Sequence, residues 1–564
     1  MGLNSENKNK IYMRSLLIIL FHILSNFILI AYTDRIRVVI DNVLQNDFNA
    51  LISNLISFFA LFILMLINNW IILRIVRWAK YCSTFDLRTE FLHHLNRIHL
   101  YKLDVYGKNN ISNRYEKELN DIVDFYSESL PNIIKNITLF ALIGVYVFIQ
   151  SYIFFIAMLL ICGIIYLFSV RKGKKLEELT DECAQLDINR NTIEYDILSS
   201  RLELRCFGAF DFIMDKAKIA EEVYREKSYK LVLLHSFFWG FGIVAFTAVN
   251  IIILSIGSLL VLDNQITFGS IISLLAILNP IVDSMFSIQG ILAVIMGIKP
   301  IIKRFNEWQQ EEEEKLYTDF GSLNNKCALY EMKNFNYKYK NSDSSEYLFE
   351  GIDLDIERGG KYLLIGKSGS GKSTLLKVMT GYDDQYTGIL KYKGVELNEL
   401  GGPFMRKDTI FVGNDVHLLS GSVRDIFNTM HPDISDSKIT EYLEKVELPF
   451  TLDHFVEKGG SNISGGEKQR LCLALVLAEQ RKVLLMDECL SMIPLLQQIH
   501  IMKKVFEIPD ITCLWSDHRI LPDIMDLFKN IILIDDNKIL HCGDVNEIKK
   551  NTFFNELYVR RENS

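Results

Sequence analysis

The stretch Gly366-Lys-Ser-Gly-Ser-Gly-Lys372-Ser373-Thr374 decides the fold of the second half of the chain. It follows a β-like run, residues 361–365, and opens a helical run that starts at Leu375. Between a strand and a helix, glycines let backbone N–H groups turn inward around phosphate oxygens, and the helix N-terminus adds favourable partial charge. We therefore predict an α/β fold that binds a nucleotide through nine residues: Gly366, Lys367, Ser368, Gly369, Ser370, Gly371, Lys372, Ser373 and Thr374.

Two side chains of this loop are suited to particular tasks. Lys372 supplies a cation to the β- and γ-phosphates of a nucleotide, and Ser373 supplies a hydroxyl to Mg²⁺. A glycine-rich pattern alone also arises by chance, but the flanking strand and helix make the phosphate-binding interpretation much stronger.

An acidic pair follows a second β-like run. Residues 482–486 (Lys-Val-Leu-Leu-Met) lead directly into Asp487 and Glu488. Open α/β sheets bind ligands at the carboxyl ends of their strands. We predict that Asp487 helps to hold Mg²⁺ and that Glu488 polarises the attacking water. Taken alone, this pair also fits a strand that runs into a polar turn, and the phosphate loop upstream favours the catalytic interpretation.

A second glycine-rich turn lies between these two motifs. Ile463-Ser464-Gly465-Gly466-Glu467 precedes a helical run over residues 468–478. A serine and two glycines at a helix N-terminus form another nest for an anion. Because one chain already has a site for its γ-phosphate, the second nest suggests a contact with the nucleotide of another copy. The alternative is a glycine-rich cap on an ordinary helix.

Long apolar stretches occupy the first half of the chain. Crossing a bilayer takes about 20 predominantly apolar residues in a helix. Six stretches qualify as predicted spans: residues 13–32, 51–73, 133–150, 152–170, 234–262 and 268–297. Lys and Arg residues precede the first span and follow the second, fourth and sixth spans. The links on the opposite side, at 46–50, 151 and 263–265, carry none, so both termini are predicted to be cytoplasmic. Arg35 and Arg37 are the exception, and a first helix that protrudes outside would accommodate them.

The inner loops and the linker complete the domain organisation. Residues 74–132 and 171–233 are charged and helix-prone, which predicts helix pairs that continue into the cytosol. Residues 306–325 are polar, and we interpret the acids at 311–314 as a solvated face without a function. We predict an all-α membrane domain with six transmembrane helices (1–310), a linker (311–326) and an α/β domain of the phosphate-loop type (327–564).

Composition excludes several classes of protein. A formal charge of −8 argues against a nucleic-acid partner. The nine cysteines are scattered without a Cys-x-x-Cys pair or metal-type spacing, so we expect small buried hydrophobic residues rather than ligands. Because the first span begins near its start, we also expect no peptidase domain ahead of the membrane half.

The order of the motifs resembles that of ATP-binding cassette (ABC) transporters. GKSGSGKST, ISGGEKQR and VLLMDE are followed by His518 after a β-like run, and six spans with long inner loops resemble the type IV exporter architecture. The resemblance covers essentially the whole chain. It implies a half-transporter that binds ATP and Mg²⁺ and pairs with an identical or a different half-transporter.

The resemblance implies roles for individual residues of the cassette. Tyr339 matches the aromatic residue that stacks on adenine, and His518 matches the switch histidine at the γ-phosphate. Asn414, within residues 412–415, matches the sensor residue, which implies a catalytic role and a contact with Mg²⁺. Ser464, Gly465 and Gly466 match the signature that closes over the nucleotide of the partner chain.

In the membrane half, the resemblance assigns the segments that couple the two domains. Residues Arg114–Asp121 and Tyr195–Arg201 resemble the two coupling helices. Residues 266–269, which lead towards Pro280, resemble the start of the usual last span.

Several positions depart from the family pattern. Asn414 is one methylene shorter than the usual Gln, which puts its reach in question. Ile463 and Glu467 replace the usual Leu and Gln of the signature, and an acid there weakens anion binding if it points inward. Pro494 replaces a residue with an N–H in the turn after Glu488, and Ile426 replaces the usual Asn after the sensor loop.

These observations predict ATP-driven export of a hydrophobic or amphipathic substrate across the bacterial cytoplasmic membrane. The substrate class stays open between a peptide, a drug-like molecule and a lipid. One alternative is a lipid or glycolipid flippase, and another is a partly degenerate regulatory subunit of a heterodimer. Membrane lipid and the transported substrate are the remaining expected partners, and the ATPase domain is expected in the cytoplasm.

Overall fold

A computed structural model describes residues 5–314, 327–338, 347–518, 522–535, 538–548 and 554. The chain forms two units. A helical unit comprises Met1–Leu92 and Ser112–Gln310, and an α/β unit comprises His93–Ile111 and Glu311–Ser564. The sequence therefore crosses between the units three times, because a short internal segment of the first half folds with the second.

Long helices follow from the long apolar runs of the first half. The helices before the linker are α1 (Ser5–Leu44), α2 (Phe48–Leu95), α3 (Leu100–Tyr106), α4 (Lys108–Asn113), α5 (Leu119–Asp124), α6 (Leu130–Gln150), α7 (Tyr152–Ser199), α8 (Arg201–Cys206), α9 (Phe210–Leu262) and α10 (Phe268–Gln309). Two π-helical turns, Arg114–Glu118 and Phe125–Ser129, flank α5. Each of the six predicted spans lies inside one of the long helices.

Three helical segments within the described ranges are long and apolar enough to cross a membrane: Glu6–Leu44, Phe48–Leu95 and Asn110–Gln150. Two shorter apolar segments are Thr247–Leu262 and Phe268–Ile277. The links at one end of these helices are tight. Asn46 and Asn264 adopt left-handed backbone angles, φ 57° and φ 56°, which Asn tolerates better than most residues.

The core of the helical unit lies where α6, α7, α9 and α10 meet. Its buried side chains include Ile143, Phe154, Ile253 and Ile277. A buried hydrogen bond from the Tyr146 hydroxyl to the Ser273 hydroxyl, at 3.1 Å, joins α6 to α10 within this apolar cluster.

The described residues of the α/β unit form twelve strands in three sheets. They are β1 (Tyr330–Tyr337), β2 (Phe349–Ile356), β3 (Lys361–Gly366), β4 (Tyr386–Tyr392), β5 (Val395–Glu396), β6 (Thr409–Val412), β7 (Gly421–Ser422), β8 (Phe455–Val456), β9 (Val483–Asp487), β10 (Thr512–Ser516), β11 (Asn530–Asp535) and β12 (Lys538–Asp544). An antiparallel sheet has the order β2-β1-β4-β5, the main sheet β12-β11-β3-β10-β9-β6, and a small sheet pairs β7 with β8.

Helices and turns connect these strands. They are α11 (Lys372–Met379), α12 (Leu397–Leu400), α13 (Gly402–Asp408), α14 (Val423–Met430), α15 (Asp436–Lys445), α16 (Gly465–Ala478), α17 (Leu495–Phe506), α18 (Pro522–Met525) and α19 (Val545–Ile548), with a 3₁₀ turn at Lys458–Gly460.

The main sheet is parallel except for β12 and is buried on both faces. Leu363 and Ile365 of β3 belong to one hydrophobic core, whereas Tyr362 and Leu364 belong to the core on the opposite face. Continuous apolar runs, rather than alternating ones, are typical of such parallel strands. The predicted fold class, a helical membrane domain followed by an α/β domain, is confirmed.

The prediction for the first coupling helix was wrong. Arg114–Glu118 is a π-helical turn in the helical unit, whereas the loop segment that folds with the α/β unit is His93–Ile111, which contains α3. Gly107, with φ 75°, ends α3. This glycine was a signal for a turn, but the residues around it are charged and helix-prone, so the turn was not predicted. For the second, Tyr195 lies inside α7, and the separate short helix is α8, Arg201–Cys206.

The expectation that residues 311–314 are only a solvated face was also wrong. The Glu314 side chain is 1% exposed and forms an ion pair with Arg406. Glu311 accepts a hydrogen bond of 2.7 Å from Lys102 and another from Tyr106. These acids therefore hold the segment His93–Ile111 within the α/β unit. The remaining linker residues, 315–326, lie outside the described ranges.

Candidate functional site

The carboxyl ends of four parallel strands meet at one edge of the main sheet. Ser516 pairs with Leu364 on one side and with Asp487 on the other, and Val412 pairs with Met486. The strand register therefore brings together the loops that follow β3, β10, β9 and β6. Every catalytic and metal-binding residue predicted from the sequence, apart from Ser373 on α11, ends or follows one of these strands.

The phosphate loop follows β3 and ends in α11. Lys372 is only 6% exposed, and its ammonium group donates to the carbonyl oxygens of Gly366 at 3.0 Å and Lys367 at 2.9 Å. Gly371 has φ 92°, and a Cβ there would lie 2.6 Å from the Phe349 ring, so the turn into α11 requires glycine.

The loop has the features that a triphosphate needs. The Ser370 hydroxyl is buried and has no hydrogen-bond partner among the described residues. A buried unpartnered donor is costly unless a ligand satisfies it. Ser373 is exposed in the first turn of α11, and Thr374 follows it. These residues fit the phosphates of ATP.

The acidic pair closes β9. Asp487 is 9% exposed, and its Oδ1 accepts a hydrogen bond of 2.5 Å from the Ser516 hydroxyl. Glu488 leaves the strand with a left-handed backbone, φ 50°, and its N–H donates to the Ser516 carbonyl at 3.2 Å. A non-glycine residue in this region is uncommon and is often found at active sites.

The turn at Glu488 directs its carboxylate towards His518. Glu488 Oε1 lies 3.5 Å from His518 Nδ1, and both side chains are partly exposed. The structure thus brings together the predicted polariser of water and the predicted switch histidine.

Asn414 follows β6, and its amide oxygen is engaged by two side chains. Gln469 donates to Asn414 Oδ1 at 3.1 Å, and the Ser491 hydroxyl donates to the same oxygen at 3.0 Å. Neither Gln469 nor Ser491 is among the site residues predicted from the sequence. Gln469 is 2% exposed on the face of α16 that carries Cys472, Leu473 and Val476. A polar residue within an apolar helical stripe was the signal that could have identified it.

The second nest begins α16. Ser464 is the N-cap residue, and its hydroxyl accepts from the Glu467 N–H at 3.3 Å. In return, Glu467 Oε2 accepts from the Ser464 N–H at 2.8 Å and from its hydroxyl at 2.7 Å. These bonds lower the pKa of the Glu467 carboxyl and keep a negative charge inside the nest. Gly465 and Gly466 pack against Met492, with Met492 O 3.1 Å from the position that a Cβ of Gly466 would occupy.

Two parts of the prediction stay untested. Tyr339 lies outside the described residues. In the described part of the chain, no group of three or more His, Cys, Asp or Glu residues could hold a metal ion. Ser373, Asp487 and Asn414 therefore remain predicted Mg²⁺ contacts, in a type of site where phosphate oxygens and water supply further ligands.

Both halves of the chain match models of known protein families. The family model for the ABC transporter transmembrane region matches residues 15–285, and the model for ABC transporter matches residues 349–491. Relatives include the lactococcin-A transport/processing ATP-binding protein of Lactococcus lactis subsp. lactis, 20% identical over 84% of this chain and 66% of the relative. The transport/processing ATP-binding protein ComA of Streptococcus pneumoniae is 24% identical over 76% of this chain and 60% of the relative.

A third relative is the glutathione/L-cysteine transport system ATP-binding/permease protein CydC of Haemophilus influenzae, 25% identical over 65% of each chain. The matches thus span less than two thirds of the length of each of these relatives. The phosphate loop, the acidic pair and the signature turn lie on one α/β unit that follows long apolar helices, and the two family models match these regions in the same order. The chain therefore belongs to the ABC transporter family, with a transmembrane region and an ATP-binding cassette in one polypeptide.

Proposed function

We propose that this chain is one half of a dimeric ABC exporter that couples ATP hydrolysis to the export of a peptide across the bacterial cytoplasmic membrane. The observation that carries the ATPase part is the meeting of Glu488 and His518, 3.5 Å apart, at the sheet edge that also carries the phosphate loop. Relatives whose names describe lactococcin transport support a peptide as the substrate.

The residues divide the chemistry as follows. Lys372 and the amides of the phosphate loop bind the β- and γ-phosphates. Ser373 and Asp487 would hold Mg²⁺, which neutralises charge on the phosphates when bound. Glu488 orients and polarises the water that attacks the γ-phosphate. His518, whose Nδ1 lies 3.5 Å from Glu488 Oε1, contacts the γ-phosphate, so it links the position of the carboxylate to the presence of that group.

The cassette needs a second copy or a different half-transporter to complete its site. The nest at Ser464 lies on α16 and would close over the nucleotide of the partner chain. Closure on two ATP molecules shifts the population of the dimer, and the segment His93–Ile111 carries that change, because it folds within the α/β unit while its chain neighbours belong to the helical unit. The basic flanks of the apolar helices support a multi-pass protein with the cassette in the cytoplasm.

One variant tests the ATPase assignment. Glu488→Gln keeps the shape of the side chain but cannot act as a base, so turnover should fall by about 10²-fold or more while Mg-ATP binding persists. The measurement is ATP hydrolysis by the full chain in liposomes, beside the binding of a fluorescent ATP analogue. Hydrolysis at the rate of the unaltered protein would remove Glu488 from its role. Stimulation of hydrolysis by peptides, and not by added lipids, tests the substrate class.

A regulatory subunit is the second candidate function. The contact that favours it is the Glu467 carboxylate on the Ser464 hydroxyl, because this hydroxyl would otherwise face a partner's γ-phosphate. Such a chain would pair with a different half-transporter and contribute a weak signature to one of two sites. Absence of hydrolysis by the purified chain alone, with normal Mg-ATP binding, would support this candidate over a homodimeric exporter.

A further inference from the structure

Four polar groups form a closed network beside the sheet edge. Gln469 Nε2 donates to Asn414 Oδ1 at 3.1 Å and to the Ser491 hydroxyl at 3.2 Å, and that hydroxyl donates to Asn414 Oδ1 at 3.0 Å. The Met492 N–H donates to Gln469 Oε1 at 3.0 Å. The buried Gln469 side chain therefore joins the loop after β6 to the turn after β9, with α16 as the base.

The hydrogen bonds of this network engage Oδ1, the atom through which Asn414 would contact Mg²⁺. A carbonyl oxygen has two lone pairs, and both of those on Asn414 Oδ1 receive a hydrogen bond here. Oxygen is the ligand type that Mg²⁺ requires. Because Asn is also one methylene shorter than Gln, Asn414 cannot keep both hydrogen bonds and extend the same oxygen to a metal ion.

We propose that Gln469 and Ser491 form a latch on Asn414 that Mg²⁺ bound with nucleotide must break. Both are positioning residues that act through Asn414. The inference rests on the proposed ATPase function and adds a regulatory step to the same site. Asn414 cannot be held by the latch and contact Mg²⁺ at the same time. The larger the fraction of chains in the latched position, the lower the apparent affinity for Mg²⁺.

The latch also joins the site to the signature nest. Met492, whose N–H is held by Gln469, packs over Gly465 and Gly466 at the start of α16. Breaking the latch therefore frees the turn that carries Ser491 and Met492 at the same time as Asn414. In a dimer, the position of the signature residues Ser464, Gly465 and Gly466 would therefore depend on whether Mg²⁺ is bound at Asn414.

The test uses the full chain in liposomes and measures the binding of a fluorescent ATP analogue against free Mg²⁺, beside ATP hydrolysis at saturating ATP. Gln469→Met keeps the volume of the side chain and removes its donor, so the half-saturating Mg²⁺ concentration, for analogue binding as for hydrolysis, should fall about fivefold, the equivalent of one hydrogen bond. Ser491→Ala, at a partly exposed position, should lower it in the same direction. Gln497→Leu on α17, which removes a 3.0 Å hydrogen bond to Glu447, is the matched control and should leave it unchanged.

A double variant separates the latch from a general packing effect. When Asn414→Ala is already present, Gln469→Met should cause no further change in the Mg²⁺ dependence, because the residue through which it acts is gone. An unchanged or raised half-saturating Mg²⁺ concentration in both single variants would overturn the latch. So would an equal fall in the Asn414→Ala background.

The same assay distinguishes failure of the latch from failure of the proposed function. If the unaltered chain neither binds a fluorescent ATP analogue with Mg²⁺ nor hydrolyses ATP, the proposed function fails and the latch with it. If it does both, and Gln469→Met and Ser491→Ala keep the half-saturating Mg²⁺ of the unaltered chain, only the latch fails.

Discussion

Glu488 Oε1 and His518 Nδ1 lie 3.5 Å apart because β9 and β10 are parallel neighbours in register. Asp487 pairs with Ser516 at the ends of these strands, so Glu488, directly after one strand, and His518, two residues after the end of the other, leave the same edge of the sheet. The left-handed backbone of Glu488 then turns its carboxylate towards the histidine. The proposed catalytic pair is thus a consequence of sheet register and one residue with a left-handed backbone.

Replacing the histidine should disable turnover without preventing nucleotide binding. In His518→Ala, Glu488 loses the imidazole that lies 3.5 Å from its carboxylate and the γ-phosphate loses its proposed contact, so we expect kcat for ATP to fall by about 10²-fold with KM changed much less. His500→Ala on α17, whose imidazole is 57% exposed and pairs with Glu447, is the control and should hydrolyse ATP normally. A kcat within twofold of the unaltered chain would remove His518 from the site.

Neutralising the acid of the second nest should strengthen the signature. In Glu467→Gln, the Ser464 hydroxyl is no longer held by a carboxylate, and a negative charge disappears from the nest that, in the proposed dimer, faces the partner's nucleotide. We expect ATP-dependent association of the chain, measured in the Glu488→Gln background, to become about threefold to tenfold tighter.

The chain contains a matched control for that experiment. Ser422 and Asp425 form the same capping box at the start of α14, with the Ser422 hydroxyl donating to Asp425 Oδ2 at 2.6 Å. Asp425→Asn removes a carboxylate from a helix N-terminus that the sequence does not assign to nucleotide binding, so association should be unchanged. Equal effects of both substitutions would show that helix capping, and not the nest, controls association.

The capping box at Ser464 also predicts a pH dependence. Hydrogen bonds from the Ser464 side chain and backbone lower the pKa of Glu467, so the folded chain favours the charged form more than the unfolded chain does. This contribution to stability is complete above the ordinary pKa and is lost as pH falls through the lowered folded value. The difference in unfolding temperature between the unaltered chain and Glu467→Gln should be constant above about pH 5 and shrink below about pH 4. A difference that persists at low pH would contradict the assignment.

The motifs of the cassette could be predicted from sequence because backbone geometry alone makes them work. The turn at Gly371 and the acidic pair after an apolar strand depend mainly on the residues next to them in sequence. The roles of Gln469, Ser491 and Glu314 could not be predicted in this way, since each depends on contacts between segments that are distant in sequence. The first coupling segment was misplaced for a related reason: helix propensity is uniform over that loop, and the tertiary contacts of residues 93–111 decide where it turns.

Those contacts lead to a last prediction, about Glu314. Its carboxylate binds both terminal nitrogens of Arg406, and its N–H donates to the Arg97 carbonyl at 2.8 Å, so one residue fixes the segment His93–Ile111 through its backbone and α13 through its side chain. In Glu314→Gln, the guanidinium keeps at most one hydrogen bond and loses its counter-charge. The cost should be about 1–3 kcal/mol of local stability, because the carboxylate is buried while Arg406 is a third exposed. Hydrogen exchange should then accelerate across residues 93–111 while β9 and β10 stay protected.

Glu313→Gln is the control, since its side chain is 47% exposed and its ion pair with Arg97 spans 3.7 Å. If both variants show the exchange pattern of the unaltered chain, the acids after α10 do not hold this segment, and other contacts within the α/β unit must do so.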